Sequence, residues 1–468
     1  MMKTLTSGPP TRLIVLFTLP LLIGNVFQQA YQFTDTAVVG RLLGVNSLAA
    51  VGASGSLCFL LLGFTFGASG GLAIPTAKAF GAGDLAQMRR YVAAGVKVSA
   101  FIALAITLIG SVAARLLLRL LNTPPELMHE ATIFLAVSFG GATVTMAYNF
   151  LAATIRALGD SRTPLYFLVI ACIINAGLVV LFIGAFHWGV GGAAAATVTA
   201  QAISALLCLI LVKRKMPILL LHREDFRSRP GEMGEVARIG LTMGFNMSVI
   251  AIGATILQYA INGLGATSVA AYTVAVRMDQ MALAPLGSFG VAVSTFNSQN
   301  RGAKQWRRIR MGVFRAGLLV IGVAIVMGIL LIAFSSQITR LFVEPGETEV
   351  IAMVHQYFLI SGCLYVFLAM LFLLRSAIQG LGLTLVPTLA GFMELAMRAI
   401  TGIVLVSHFG FIGACWASPL AWLGALVPIT TAWVILRRRL IRAETSPTPG
   451  WEPRRIREPR PLREPARV

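Results

Sequence analysis

LGVNSLAA, residues Leu43–Ala50, returns as LGATSVAA at Leu264–Ala271, 221 positions later. The same shift carries Gly81-Ala82 onto Gly302-Ala303, and Pro124 and Glu126 onto Pro345 and Glu347. It also carries HWGVGGA at His187–Ala193 onto HFGFIGA at His408–Ala414. A register held this long makes the chain two copies of one unit. In an apolar chain, such duplication points to a transport path between the copies.

Of the 468 residues, 57% are hydrophobic and 12% charged, and the mean hydropathy is +0.81. A soluble domain carries about 25% charged residues. The chain therefore lacks the polar surface to cover a globule in water. Apolar stretches of span length recur throughout, each able to cross about 30 Å of hydrocarbon. Inside lipid the backbone must satisfy its own hydrogen bonds, which a helix does within one segment. Runs such as LVIGVAIVMGILLIAF (Leu319–Phe334) do not alternate, which excludes barrel strands.

Twelve spans are expected, near 13–39, 47–77, 92–121, 130–155, 164–186, 191–212, 239–262, 268–298, 312–336, 351–377, 386–407 and 411–436. The chain then divides into a first half (1–212), a basic linker (213–238), a second half (239–436) and an Arg/Pro-rich tail (437–468) expected to be disordered. Leu13–Leu22 runs on into a longer apolar segment, so no cleavable signal peptide is expected.

The net charge of +20 collects in alternate loops: Lys78, Arg89 and Arg90; Arg156 and Arg162; the linker; Arg301 to Arg310; Arg375; Arg437–Arg439. The opposite loops include the acidic stretches NTPPELMHE and EPGETE. The positive-inside rule places both termini in the cytoplasm. Basic residues lying between spans, not on one folded face, argue against nucleic acid as a partner. A polybasic tail is suited to anionic membrane lipid. The five cysteines lie in apolar stretches without a CxxC pair and read as small buried hydrophobes.

Asp35 is the sharpest single residue. Gln28, Tyr31, Gln32 and Asp35 fall on one face of the first span. A carboxylate at membrane depth costs a few kcal/mol or more, so it should face a cavity or a partner; the other reading is a solvated loop acid at the outer interface near Arg41. Asn149, Asn175 and Thr197 lie in the fourth, fifth and sixth spans; with Asp35 they would offer oxygens suited to a hard cation such as Na⁺. Each amide or hydroxyl taken alone is also an ordinary interhelical hydrogen bonder. The second half carries Arg277 and Asp279, and Glu394 four residues before Arg398, as an i,i+4 pair. Pro20, fifteen residues before Asp35, is a candidate hinge. Under the 221-residue shift Asp35 meets Ile256, so the halves have diverged at this point. No Walker or HExxH motif is present, and the five histidines are scattered, so no enzyme is expected.

In order along the chain, LPLLIGNVFQQAYQFTDTAVVGRLLGVNSLAAVGA, AFGAGD, YNFLAATIRALGDSRTPL, INGLGATSVAAYTVAVRMDQ, SQNRGAK and GFMELAMR resemble the multidrug and toxic compound extrusion (MATE) transporters, prokaryotic type. The resemblance implies an all-α integral membrane protein. Its twelve transmembrane helices would form two pseudo-symmetric six-helix lobes around a V-shaped cleft. It implies a multi-pass, monomeric antiporter of a bacterial or archaeal plasma membrane. Such a protein has no cofactor and exports cationic or amphipathic drugs by alternating access, driven by H⁺ or Na⁺. The cation site would be Asp35, Tyr31, Asn149, Asn175 and Thr197. Gln28, Asp279, Glu394 and Arg398 would line a substrate or second-lobe polar site, with Glu394 and Arg398 following the family's ExxxR pattern. Many relatives carry a fifth-span Asp where this chain has Val179. Lacking it, the chain offers no metal site beyond Na⁺ at Asp35, and proton coupling gains weight. The other readings are a lipid-linked oligosaccharide flippase of the same architecture and a membrane enzyme. A flippase would need a cleft lined with unpaired cations, and Arg277 and Arg398 each have an acid within four residues.

Overall fold

The computed structural model describes residues 4–121, 123–343 and 346–445. Nearly all of it is helix. The first half holds α1 (Pro10–Leu43), α2 (Val45–Gly81) and α3 (Leu85–Leu120). It continues with α4, a bent pair (Pro125–Gly140 and Ala142–Ala157), α5 (Arg162–Val180, continued by a π turn at Leu181–Ala185) and α6 (Gly189–Lys215). The second half holds α7 (Glu232–Asn262), α8 (Ala266–Gly302), α9 (Trp306–Thr339) and α10, another bent pair (Thr348–Cys363 and Tyr365–Gly380). The last helix, Leu385–Thr445, is broken at Gly410 into α11 (385–409) and α12 (411–445).

Eight of these helices are long and apolar enough to cross a bilayer alone. Each bent pair adds a span, Gly410 divides the last helix, and α8, long but more polar, completes twelve. Exposed apolar residues mark the lipid face. On α3 they are Phe101, Leu104, Leu108 and Val112, at helical spacing, and on α9 Phe314, Leu318, Ile325 and Ile329.

The duplication read in the sequence is a duplication of backbone geometry. Gly44 (φ +86°) and Gly265 (φ +96°) make the turns after α1 and α7, 221 residues apart. Gly189 (φ +58°) and Gly410 (φ +56°) make those before α6 and α12 at the same shift. These left-handed conformations suit residues without a Cβ. The halves of α4 and of α10 are each 16 residues long, and the pairs bend by 45° and 51°. Of the mates quoted above, Pro345 lies outside the described residues.

The two lobes, α1–α6 and α7–α12, meet at the end where the basic loops lie. There α2 packs along α7. Lipid gives helices no hydrophobic reason to associate, so the seam depends on small residues that allow close approach. A Cβ on Gly71 would stand 2.7 Å from the Ile239 carbonyl oxygen, and one on Gly240 would stand 2.5 Å from a Leu72 methyl. Polar contacts tie the same end. Arg90 pairs with Glu232 at 3.2 Å, Lys78 with Glu235 at 3.7 Å, and the Tyr91 hydroxyl donates to Glu235 at 2.8 Å. The Ser298 hydroxyl donates to the Ile74 carbonyl (2.7 Å) and the Gln299 amide to the Ala157 carbonyl (2.7 Å). The chain before α1 joins this closure, since Gln299 Oε1 accepts from the Leu5 backbone N–H at 2.8 Å.

Asn25, near the middle of α1, donates to Ser288 Oγ of α8 at 3.0 Å. Among the described residues, every hydrogen bond between the lobes lies at Asn25 or nearer the basic end. Beyond it the facing residues Gln28 and Gln32 of α1 and Arg277 and Met281 of α8 are exposed, so the lobes part into a cleft toward the opposite end.

Some expected boundaries move. α6 runs on to Lys215 and α7 starts at Glu232, so the link between the lobes is 216–231, shorter than 213–238. It folds into two short 3₁₀ turns, Pro217–Leu219 and Arg223–Phe226, against α3. Residues 437–445, expected in the tail, continue α12; the remainder of that tail, 446–468, lies outside the described residues. Cys363, at the bend of α10, is exposed, whereas Cys208 and Cys415 are buried as expected. Arg375, expected in a basic loop, is buried at 6% exposure within α10. α1 continues through the buried Pro20 as one helix.

Candidate functional site

Within the first lobe, α1, α5 and α6 bring four of the expected residues together. Asn175 of α5 donates its amide to Thr197 Oγ1 of α6 at 3.3 Å. Tyr31, about one turn before Asp35 on α1, turns its hydroxyl toward Thr197 and Asp35. The Cys172 thiol sits 3.7 Å from the Phe27 carbonyl, which sets α5 level with this part of α1. The Tyr31 hydroxyl and Asp35 Oδ1 are buried atoms without a hydrogen-bond partner. An unsatisfied carboxylate oxygen in such surroundings costs on the order of 1–3 kcal/mol or more. The four side chains together present a carboxylate, an amide oxygen and two hydroxyls, all hard donors. This donor set suits a small hard cation or an added proton.

Asn149 does not join them. It lies two turns from the basic end of α4, whereas Asp35 lies two turns from the opposite end of α1. Thr145, one turn before Asn149, donates to Gln201 Oε1 of α6 at 2.6 Å, and Thr197 lies one turn before Gln201, so Asn149 stands about two turns, roughly 12 Å, from the Asn175–Thr197 contact. Val179, where many relatives have a carboxylate, is fully buried in an apolar cluster with Val39, Ile183, Ala193 and Ala196. Gln28 is exposed; with Gln32 and Thr36 it falls close to the face of α1 that Asn25 turns toward α8.

The second lobe holds two buried ionic groups. Asp279 of α8 accepts from the Tyr357 hydroxyl on Oδ2 at 2.5 Å and from the Tyr365 hydroxyl on Oδ1. Glu394 of α11 accepts from Arg398 (3.0 Å) and from Arg375 of α10 (2.7 Å). The expected Glu394–Arg398 pair is thus a triad of one carboxylate and two guanidiniums. Arg375 was missed because a single Arg near an apolar run reads as a loop anchor. The signal available was Glu394, an acid at membrane depth that two cations serve better than one. Both oxygens of Asp279 and of Glu394 are occupied, while Asp35 Oδ1 has no hydrogen-bond partner.

Arg277 and Asp279, neighbours in sequence, are not partners. Two positions on a helix differ by about 200°. Asp279 faces the lobe core, and Arg277 is exposed.

The MatE family model matches the chain over residues 20–181 and again over 241–404, the two starts separated by the same 221 residues as the internal repeat. The probable multidrug resistance protein YpnP of Bacillus subtilis is 29% identical over 81% of this chain and 84% of its own length. The probable multidrug resistance protein NorM of Thermotoga maritima is 24% identical, with 89% of each chain covered. Among solved structures, the outward-facing conformation of a multidrug resistance MATE family transporter superposes with a TM-score of 0.86 at 20% identity, covering 94% of this chain and 98% of its own. A MOP superfamily transporter from Pyrococcus furiosus superposes with a TM-score of 0.85 at 21% identity, with the same coverage.

Proposed function

The chain belongs to the MatE family, and from that premise we propose that it is a cation-coupled multidrug efflux antiporter working by alternating access. The lobes rock about the α2–α7 seam, so the cleft opens to one side of the membrane at a time. The basic end faces the cytoplasm by the positive-inside rule, which puts both termini there and makes the described state open to the outside. Organic cations and amphipathic drugs enter the cleft from the cytoplasm and leave by the open end. The multidrug resistance relatives support this reading.

One observation carries the coupling. Asp35 is a carboxylate with an unfilled, buried oxygen, grouped with Tyr31, Asn175 and Thr197. An ion that binds this group in one lobe arrangement more tightly than in the other shifts the equilibrium between them, and nothing further is needed for coupling. Of the two candidate ions, H⁺ fits better than Na⁺. The apolar Val179 leaves a single carboxylate and fewer oxygens than a sodium shell uses.

The test is transport in proteoliposomes with a pH gradient or a sodium gradient imposed separately. Ethidium efflux should follow the pH gradient. Asp35→Asn should abolish it while leaving expression and the solubilised elution profile intact. Efflux by that variant at the wild-type rate would remove the coupling role.

A further inference from the structure

We propose that Arg277 is an anion-binding point on the cleft wall, taking the carboxylate of an amphipathic aromatic acid as it passes. The proposal rests on the efflux reading above and extends its substrates beyond organic cations. Ser288 faces the first lobe, because Asn25 donates to it. Arg277 lies eleven residues, about three turns, before Ser288, so it projects from the same face of α8. It stands nearer the open end, where the lobes have parted. It is exposed, with neither hydrogen bond nor ion pair among the described residues.

The acids of this lobe that could neutralise it are committed elsewhere. Asp279 is turned to the core under two tyrosines, and Glu394 is held by Arg375 and Arg398. Opposite, the α1 face offers Gln28, Gln32 and Thr36, which are uncharged. A guanidinium at membrane depth without a counter-charge is costly by a few kcal/mol. Its planar fork matches a carboxylate with two parallel hydrogen bonds. Met281, one turn along the same face, is 62% exposed and supplies a soft apolar surface for a ring system. A cationic head beside an apolar seat is complementary to an aromatic acid.

The competing account is that Arg277 swings onto Asp35 when the open end shuts and acts only in the gate. Proteoliposomes containing wild type, Arg277→Gln or Arg277→Lys, energised as for ethidium, separate the two. The probes are fluorescein, an aromatic carboxylate, and ethidium, a permanent cation. Wild type should move both. Arg277→Gln should lower the fluorescein-to-ethidium rate ratio by about tenfold or more, and Arg277→Lys should restore part of it. A wild type that carries ethidium but not fluorescein overturns the anion site and leaves the efflux reading standing. An equal loss of both probes in Arg277→Gln also overturns it, in favour of the gate. A wild type that carries neither probe overturns the efflux reading, and the anion site with it.

Discussion

Asp35 and Glu394 are both carboxylates at membrane depth, and their surroundings give them different work. Glu394 is saturated by two guanidiniums, so it holds α10 to α11. Glu394→Gln would leave two buried cations facing a neutral amide. Breaking such a group costs about 3–5 kcal/mol, so the detergent-solubilised protein should melt several degrees lower. An unchanged melting temperature would show that the triad does not hold the lobe. Tyr357→Phe removes one donor from Asp279 and should cost about 1–3 kcal/mol by the same measurement. Asp35 was legible in the sequence because an acid inside an apolar run has few innocent explanations. The role of Arg375 was not, because hydropathy cannot distinguish a cation at a loop from one buried against an acid 19 residues away. The depth of Asn149 was hidden for a similar reason. A motif supplies residue type and order, but not depth along a tilted helix.

Among the elements, the α2–α7 seam is the one that decides, in the proposed mechanism, which end is open. Gly71 touches backbone across it, so a side chain there has no flexible neighbour to displace. Gly71→Val should wedge the basic end apart and shift the protein toward the opposite state. A cysteine probe in the cleft would then label faster from the cytoplasmic side and slower from outside; unchanged labelling would contradict the seam's role. The linker should respond to pH. Burial pushes the Asp225 carboxyl up, but the His222 backbone N–H and the Arg89 guanidinium outweigh it and hold it below the usual carboxylate range. A depressed folded-state value means the linker's hold on α3 is complete above the ordinary carboxylate range. It is lost as the pH falls through the folded-state value. Protease cleavage within 216–231 should therefore accelerate on acidification in wild type and be fast at neutral pH in Asp225→Asn. Helix existence was readable in the sequence even for α8, expected over 268–298 and found at Ala266–Gly302. α8 carries Arg277, Asp279 and a run of amides because protein covers most of its length, so composition alone understates it.

For the whole molecule, the proposed transport cycle requires the closed basic end to open. Ser298 and Ile74 are in contact across the lobes at that end. With the five native cysteines replaced, a Ser298→Cys/Ile74→Cys pair should lock the protein outward-open when oxidised. Efflux should stop and return on adding reductant; efflux that persists under oxidation would exclude lobe rocking at this seam.

The duplicated, lipid-solvated, twelve-helix plan was fixed by the chain itself. Apolar length and turn glycines are local properties that no packing arrangement can reverse. Which polar groups meet was settled only on folding. The helical phase of Arg277 against Asp279, the depth of Asn149 and the second guanidinium on Glu394 depend on how helices tilt and rotate against each other. Those angles come from side-chain packing among segments far apart in sequence.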